Sequence, residues 1–147
     1  MTEVFDYPKQ VGFSCNRCSR CCGDTEDTIR HVLLLKLDAK RISNNTLLDV
    51  NEFSQEISGS EPYIHEMKKN ENGKCFFLKD NNCTIYEIRP LICRFYPFEL
   101  KNLGNNRYSF SYTNKCKGIG NVPELELTFF ESLFNTCLKF MEENAEE

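Results

Sequence analysis

The segment from Cys15 to Cys22 constrains this chain more than any other feature, because it holds four cysteines in eight residues. Cys15, Cys18 and Cys21 are each separated by two residues, and Cys22 follows at once. Two cysteines at this spacing can turn around one metal ion, so C-x2-C is a common half-site for zinc. The triple spacing also fits the start of an iron–sulfur cluster loop. Thiolates held this close without a metal would repel one another, so the run predicts metal ligation.

The run by itself does not complete a four-coordinate site. Neighbouring side chains in an extended chain point to opposite sides, so Cys21 and Cys22 serve different metals, or one of them lies beside the site without binding. The missing ligands are predicted to come from four cysteines near turns, a helix and a glycine-rich segment: Cys75, Cys83, Cys93 and Cys116. Eight thiolates would form two four-thiolate sites, or one iron–sulfur cluster with one mononuclear site. The predicted cofactor is therefore an iron–sulfur cluster or zinc, and the spacing does not choose between them.

The composition predicts one globular domain over residues 1–147, since 40% of the residues are hydrophobic and 27% are charged. A net charge of −4 argues against nucleic acid as a partner, because nucleic-acid binding needs a basic surface. We expect no membrane partner and a cytoplasmic location, because neither a signal peptide nor an apolar stretch of ~20 residues is present. Thiols stay reduced in the cytoplasm, so nine cysteines, an odd number, indicate metal ligation and not disulfides.

The predicted fold class is α+β: a small single domain of short hairpins and helices organised around cysteine knuckles, with its core at about 13–120. In the first part of the chain we expect an extended arm over 1–14, the metal loop 15–24 and a strand over 29–37. Two short helices should follow, over 39–43 and 52–57, capped by Asp38 and Asn51. The remaining elements are a hairpin of 63–68 with 75–78, a turn over 79–82 that leads into 83–86, a helix over 87–94 with Pro90 in its first turn, a hairpin of 98–103 with 107–112, and a glycine-rich knuckle over 116–120.

An amphipathic helix over about 123–143 is predicted to close the domain, with Pro123 in its first turn. Its apolar stripe consists of Phe130, Leu133, Phe134, Cys137, Leu138 and Met141. Cys137 is therefore interpreted as a small core residue and not as a ligand.

Arginines near the cysteines are candidates to balance the charge of a metal centre. A four-thiolate zinc site, or a four-iron cluster in its oxidised state, carries about two negative charges, which are costly in a poorly hydrated site. Arg89 and Arg94 are predicted to contact the cofactor, with ordinary pairing to Asp or Glu as the alternative. For Arg17 and Arg20 the surface interpretation is favoured.

The other polar candidates favour structural roles. Asp24, Glu26 and Asp27 are interpreted as a solvated turn after the metal loop, rather than as an oxygen-ligand site. His31 begins an apolar run and is predicted to be structural, whereas His65 is predicted to be exposed on a strand. No catalytic residue is predicted.

Three blocks of the sequence together resemble a known family: Cys15–Cys22 with Gly23, CTIYEIRPLICRFYP over 83–97, and CKGIG over 116–120. They are similar to the CxxCxxCC family of zinc- or iron-chelating domains, the YkgJ-like cysteine-cluster proteins, over about residues 13–120. The resemblance implies metal chelation by the eight cysteines named above. A bacterial flagellin lysine N-methylase is similar in its cysteine motifs, but this chain has no extra domain to hold a methyl donor, so that activity is not carried over.

The sequence therefore predicts a cytoplasmic metal-binding protein that holds an iron–sulfur cluster, zinc or both. The absence of a convincing acid–base pair favours a protein that is not an enzyme. The alternative is a metal-dependent enzyme component related to lysine N-methylase, or an electron-transfer protein. The predicted partner is the metal ion or cluster, and a protein partner is left open.

Overall fold

A computed structural model describes residues 4–14, 22–25, 29–113, 116 and 118–146, with the backbone alone at 121–123. In chain order its elements are β1 (Val4–Asp6), β2 (Gly12–Phe13), β3 (Leu33–Leu35), α1 (Lys36–Thr46), α2 (Val50–Phe53), β4 (Ser54–Glu56), β5 (Tyr63–Met67), β6 (Leu78–Lys79), β7 (Asn82–Cys83), a 3-10 turn (Tyr86–Ile88), α3 (Leu91–Phe95), β8 (Phe98–Gly104), β9 (Arg107–Tyr112), β10 (Ile119–Glu124) and α4 (Leu127–Ala145). Helices and short sheets both occur, which confirms the predicted α+β class.

The chain packs as two compact units, and each of them is built from two stretches. Unit 1 comprises residues 1–16 and 95–136, and unit 2 comprises 17–94 and 137–147. A single domain over 1–147 stays a prediction. Within the described part of the chain, none of the helices is long and apolar enough to cross a membrane.

Unit 1 contains a three-stranded sheet in the order β1-β9-β8, with β1 parallel to β9. The predicted hairpin of β8 and β9 is confirmed. Its turn residues Asn105 and Asn106 both have positive φ, a conformation that asparagine tolerates better than most residues. Aromatic side chains form the core of this unit: the ring of Phe110 lies 5.2 Å from that of Phe130 and 5.4 Å from that of Phe5.

The C-terminal helix begins later than predicted. Pro123 does not open it, because residues 119–124 pair instead with β2 as strand β10, and the helix starts at Leu127. A proline is tolerated in such a two-stranded edge pairing, where its missing N–H need not serve a second neighbour. Phe130 and Phe134 of the predicted stripe are buried, whereas Cys137 is only half-buried.

Unit 2 is organised around the sheet β3-β5-β4, in which neighbouring strands are antiparallel. One buried apolar cluster lies in this unit: Val32, Leu34, Ile42, Phe53, Met67, Phe77 and Ile85. The predicted hairpin of 63–68 with 75–78 forms only next to its turn, where Lys69 and Cys75 form a bridge and the N–H of Phe76 donates to the Lys68 carbonyl at 2.9 Å. Farther from the turn, β5 pairs with β3 and β4 instead. The turn over 79–82 is confirmed, because β6 and β7 pair across Asp80 and Asn81, both with positive φ.

The helices of unit 2 differ from the prediction in their bounds. The strand expected over 29–37 is limited to β3, and α1 begins directly after it, two residues before Asp38. The Asn44–Asn45 pair does not end α1, which closes with Leu47 in the left-handed conformation. Helix α2 is capped by Asp49 and not by Asn51, because the Asp49 carboxylate accepts the N–H of Asn51 at 3.1 Å.

The helix expected over 87–94 is divided by Pro90. Arg89, directly before the proline, adopts an extended ψ of 145°, so the 3-10 turn ends there and α3 starts at Leu91. The ring of a proline disfavours helical backbone at the preceding residue, which explains the division. Cys93 consequently lies in the middle of a five-residue helix.

Asp38 fixes the start of α3 from inside unit 2. Its side chain is 2% exposed and accepts the N–H of Leu35 at 2.9 Å and that of Leu91 at 3.2 Å. Asp38 is thus the third residue of α1 and closes its first turn from within, rather than capping it as predicted. Burial raises the pKa of its carboxyl to about 6, against the opposing effect of these two N–H donors and of Arg41 and Arg94.

This raised pKa predicts that acidification stabilises the protein through Asp38. Between its ordinary pKa of 3.8 and about 6, the folded chain binds a proton at Asp38 that the unfolded chain does not. The contribution is fully present below about pH 4 and is lost as the pH rises through 6. The free energy of unfolding of the wild type, relative to that of Asp38→Asn, should therefore increase by about 2 kcal/mol from pH 7.5 to pH 4 in urea titrations. Parallel pH profiles for the two proteins would contradict this assignment.

Candidate metal centre

The structure describes five of the eight predicted ligands. Cys22, Cys75, Cys83 and Cys93 lie in unit 2, and Cys116 lies in unit 1; all five are half-buried thiols. The other three, Cys15, Cys18 and Cys21, lie outside the described residues, as do Arg17, Arg20, Glu26 and Asp27.

Three of the cysteines border the apolar cluster of unit 2. Cys75, Cys83 and Cys93 each pack against it while remaining half-buried. Cys83 is held in register by β7, where it faces Leu78, and Cys93 is held by its N–H, which donates to the Pro90 carbonyl at 3.0 Å. Three separate segments of the chain therefore place a cysteine beside the same apolar cluster.

The end of the first cysteine loop lies against the turn that carries Cys75. The N–H of Cys75 donates to the carbonyl oxygen of Cys22 at 2.6 Å, and Gly23 forms a bridge with Lys74. Gly23 has a φ of +145°, and a Cβ there would lie 2.5 Å from the carbonyl oxygen of Gly73 and 2.6 Å from the Cα of Lys74. Only glycine allows so close an approach, so residue 23 sets the distance between the backbones of Cys22 and Cys75.

Asp24 stabilises the contact between the end of the first cysteine loop and the turn before Cys75. Its Oδ1 accepts the Nζ of Lys69 at 2.7 Å and the N–H of Arg30 at 2.9 Å, and its carbonyl oxygen accepts the Nζ of Lys74 at 2.7 Å. The hydrogen bond from Lys69, followed by that from Arg30, holds the pKa of the Asp24 carboxyl below its usual value. The interpretation of Asp24 as part of a merely solvated turn is therefore corrected: it joins the loop end to the turn before Cys75.

The residues around Cys116 form a tight turn, as the glycine-rich pattern predicted. The N–H of Gly118 donates to the Sγ of Cys116 at 3.4 Å, and the N–H of Ile119 donates to the Cys116 carbonyl at 3.2 Å. A Cβ on Gly118 would meet the ring of Phe13 at 2.9 Å and would collide with the Ser14 carbonyl. A backbone N–H that points at sulfur is a usual outer contact of metal-bound cysteines.

The two predicted cofactor-contacting arginines differ in their partners. Arg94 donates from Nε to the carbonyl of Arg89 at 3.0 Å and from Nη2 to the carbonyl of Glu87 at 3.1 Å. Burial, followed by the charges of Arg89 and Arg41, lowers the pKa of Arg94. Arg89 stacks on Tyr86, with its Cζ 3.9 Å from the ring centroid, and its Nε is buried without a hydrogen-bond partner in the described residues.

Neither histidine belongs to a metal-binding group among the described residues. His31 is exposed, and its Nδ1 lies 3.1 Å from a carboxylate oxygen of Glu66. His65 is half-buried, with a buried Nδ1 that has no partner in the described part of the chain, so the prediction of an exposed side chain is wrong. Its cross-strand partner Leu34 is fully buried, which places His65 on the core-facing side of the sheet.

The donor set fits a thiophilic metal, but the described residues do not complete a site. Cysteine sulfur suits zinc and iron–sulfur clusters. Among residues 22–25, 29–113 and the other described stretches, no three Cys, His, Asp or Glu side chains converge to hold an ion.

A family model described as "CxxCxxCC: Putative zinc- or iron-chelating domain" matches residues 14–137. This chain belongs to the CxxCxxCC family. The uncharacterized protein MJ0661 of Methanocaldococcus jannaschii is 28% identical to it over 120 residues, which are 77% of this chain and 61% of that protein. The chain thus spans about three fifths of the length of that relative. No solved structure matches this chain. Membership of the CxxCxxCC family supports metal binding, with zinc or iron as the metal.

The close approach at Gly23 predicts a large effect of one methyl group. Gly23→Ala should cost about 2 kcal/mol of unfolding free energy and reduce metal retention, because the new Cβ would push Cys22 away from Cys75. Gly59→Ala is the matched control: Gly59 also has positive φ, but nothing lies within 4 Å of its Cβ position. Urea unfolding and metal content measured on both variants test this. Equal metal retention by the two would contradict a role for the approach.

Proposed function

We propose that this chain chelates zinc or an iron–sulfur cluster in the cytoplasm through cysteine thiolates. The proposed ligands are the eight cysteines of the three family blocks and the Cys75 turn: Cys15, Cys18, Cys21, Cys22, Cys75, Cys83, Cys93 and Cys116. A cytoplasmic location fits this chemistry, because reducing conditions preserve thiolate ligands.

The observation that carries the proposal is the contact between the CxxCxxCC run and the Cys75 turn. The N–H of Cys75 donates to the last cysteine of the run at 2.6 Å, and the backbone at Gly23 leaves no room for a side chain between them. Cys83 and Cys93 border the same apolar cluster as Cys75, so ligands from the run would meet thiols that are already held by packing. Cys116 is proposed as a ligand on the strength of the N–H that points at its sulfur.

A bound metal would supply either cohesion or redox chemistry, according to its identity. Structural zinc would hold short segments together, whereas an iron–sulfur cluster would also accept and donate an electron. The protein's own contribution is the same in both cases: it gathers soft anionic ligands, keeps them partly away from water and orients them by backbone hydrogen bonds.

The test is elemental analysis of protein purified without oxygen and without added metal, together with its visible spectrum. A brown protein with charge-transfer absorption near ~400 nm and stoichiometric iron identifies a cluster. A colourless protein with stoichiometric zinc identifies a zinc site. Fully reduced, folded protein that contains neither metal, and takes up neither on addition, would refute the proposal.

A further inference from the structure

Arg89 has a hydrogen-bond donor whose partner is missing from the described chain. Its Nε is buried and donates to no acceptor there, while the guanidinium rests on the ring of Tyr86 at 3.9 Å. A guanidinium is always charged and carries only donors. Buried donors are almost always satisfied, so an orphan in a native structure points to an absent partner such as a water, an ion or a ligand. An anion is the acceptor that a cationic donor binds most strongly.

Arg94 explains how Arg89 is held. Its guanidinium donates to the backbone carbonyls of Arg89 and Glu87, at 3.0 and 3.1 Å, and its Cζ lies 5.5 Å from the ring centroid of Phe140. Arg94 thus uses its donors on the chain segment that carries Arg89. The two arginines, which the sequence treats alike, have different roles: Arg94 braces the segment, and Arg89 presents an unsatisfied donor.

The neighbours of Arg89 indicate which anion could accept its hydrogen bond. It lies between Cys83 and Cys93, and the next residue, Pro90, accepts the N–H of Cys93. Ile88 and Ile92, on either side of Arg89, pack against the same apolar cluster as the two cysteines. The proposed thiolate centre would bring negative charge to this neighbourhood, and N–H donors to ligand sulfurs are the usual outer contacts of such centres.

We propose that Arg89 donates its Nε–H to a thiolate sulfur of the metal centre and so stabilises the bound state, with Arg94 as the residue that positions it. The inference rests on the proposed function, since it needs a thiolate centre. Arg89 is a positioning and charge-balancing residue rather than a ligand.

The test compares metal release from Arg89→Gln, Arg89→Lys and Arg107→Gln, each loaded with the metal found in the wild type. Arg107 is exposed and lies on strand β9, so its variant loses the same charge while every residue of the segment 83–94 is kept. Transfer of metal to a colorimetric chelator should be about tenfold to a hundredfold faster for Arg89→Gln than for the wild type and unchanged for Arg107→Gln. The charge-transfer band, or that of the cobalt-substituted protein if the metal is zinc, should shift in Arg89→Gln. Arg89→Lys keeps the charge and the aliphatic stem but lacks Nε, so it should also release metal faster than the wild type.

The outcomes separate this inference from the proposed function. A wild type that binds no metal refutes both. A wild type that binds metal, with Arg89→Gln and Arg89→Lys unchanged in release rate and spectrum, overturns the role of Arg89 alone. If Arg89→Gln does not fold, Arg89→Lys decides, and wild-type behaviour of that variant overturns the inference. A release rate that inorganic phosphate alters in the wild type but not in Arg89→Lys would mean that the acceptor is a dissolved anion, which also overturns it.

Discussion

Removal of the metal should lower the melting temperature on the order of 20 °C or more, because the elements that carry the proposed ligands cannot hold themselves together. Strands β6 and β7 have two residues each, and α3 has five. Isolated elements this short are not stable in water. A structural metal can contribute about 10 kcal/mol to the folding of a small domain, and each kcal/mol corresponds to a few degrees in a chain of this size.

The measurement is thermal unfolding by circular dichroism, with a reductant present, before and after the protein is stripped with a chelator under denaturing conditions and refolded. Return of the same metal should restore the original melting temperature, which controls for damage during stripping. A stripped protein that melts at the same temperature as the loaded one would show that the apolar clusters alone hold the fold, and that the metal is not coupled to folding.

Substitution of a proposed ligand should remove metal, whereas substitution of the ninth cysteine should not. Cys75→Ala and Cys18→Ala each delete a proposed ligand, and we expect at least half of the bound metal to be lost. Cys137→Ala deletes a half-buried thiol on helix α4, and we expect full metal content with a cost of about 1 kcal/mol in unfolding free energy. Cys75 and Cys137 belong to the same unit and are both half-buried, so they form a matched pair.

Metal per chain is measured after anaerobic purification, with unfolding free energies from urea titration. Full metal content in Cys75→Ala would remove Cys75 from the site and weaken the argument from its contact with Cys22. Loss of metal in Cys137→Ala would instead show that helix α4 contributes a ligand. The interpretation of Cys137 as a core residue would then be wrong.

Local signals in the sequence were sufficient where the structure is local. The hairpin of β8 and β9 follows from Gly104-Asn105-Asn106 between two strand-forming stretches, and the β6–β7 pairing follows from Asp80-Asn81. Pro90 predicted a helix start but also broke the segment before it, since its ring acts on the residue on its N-terminal side. Pro123 predicted the start of a helix, but the segment around it forms a strand instead. This strand depends on pairing with Gly12 and Phe13, which lie over a hundred residues away in the sequence.

The sequence predicts a set of candidate ligands but not their arrangement in space. Spacing alone points to the cysteines, because metal chemistry limits the residue types and the separations. No local sequence signal predicts that Lys69 pairs with Asp24, because the two lie 45 positions apart in the sequence. Each of these charged residues, taken by itself, is typical of a solvent-exposed surface. Asp38 was noticed as a helix cap, yet its contact with Leu91 depends on tertiary packing across 53 residues. The contrast between Arg89 and Arg94 likewise appears only when their partners are known.

The two glycines beside the cysteines narrow the range of sequences that can carry this motif. Gly23 and Gly118 have no side chain and contribute nothing to the proposed donor set, yet a Cβ at either position would collide with backbone. A chain with all eight cysteines and alanine at both positions would satisfy the spacing of the motif and still fail to bring Cys22 to Cys75 or to close the turn at Cys116. The proposed site therefore depends on the cysteines and on the two glycines together. A designed protein that received only the cysteines would lack the close backbone approaches that the glycines allow.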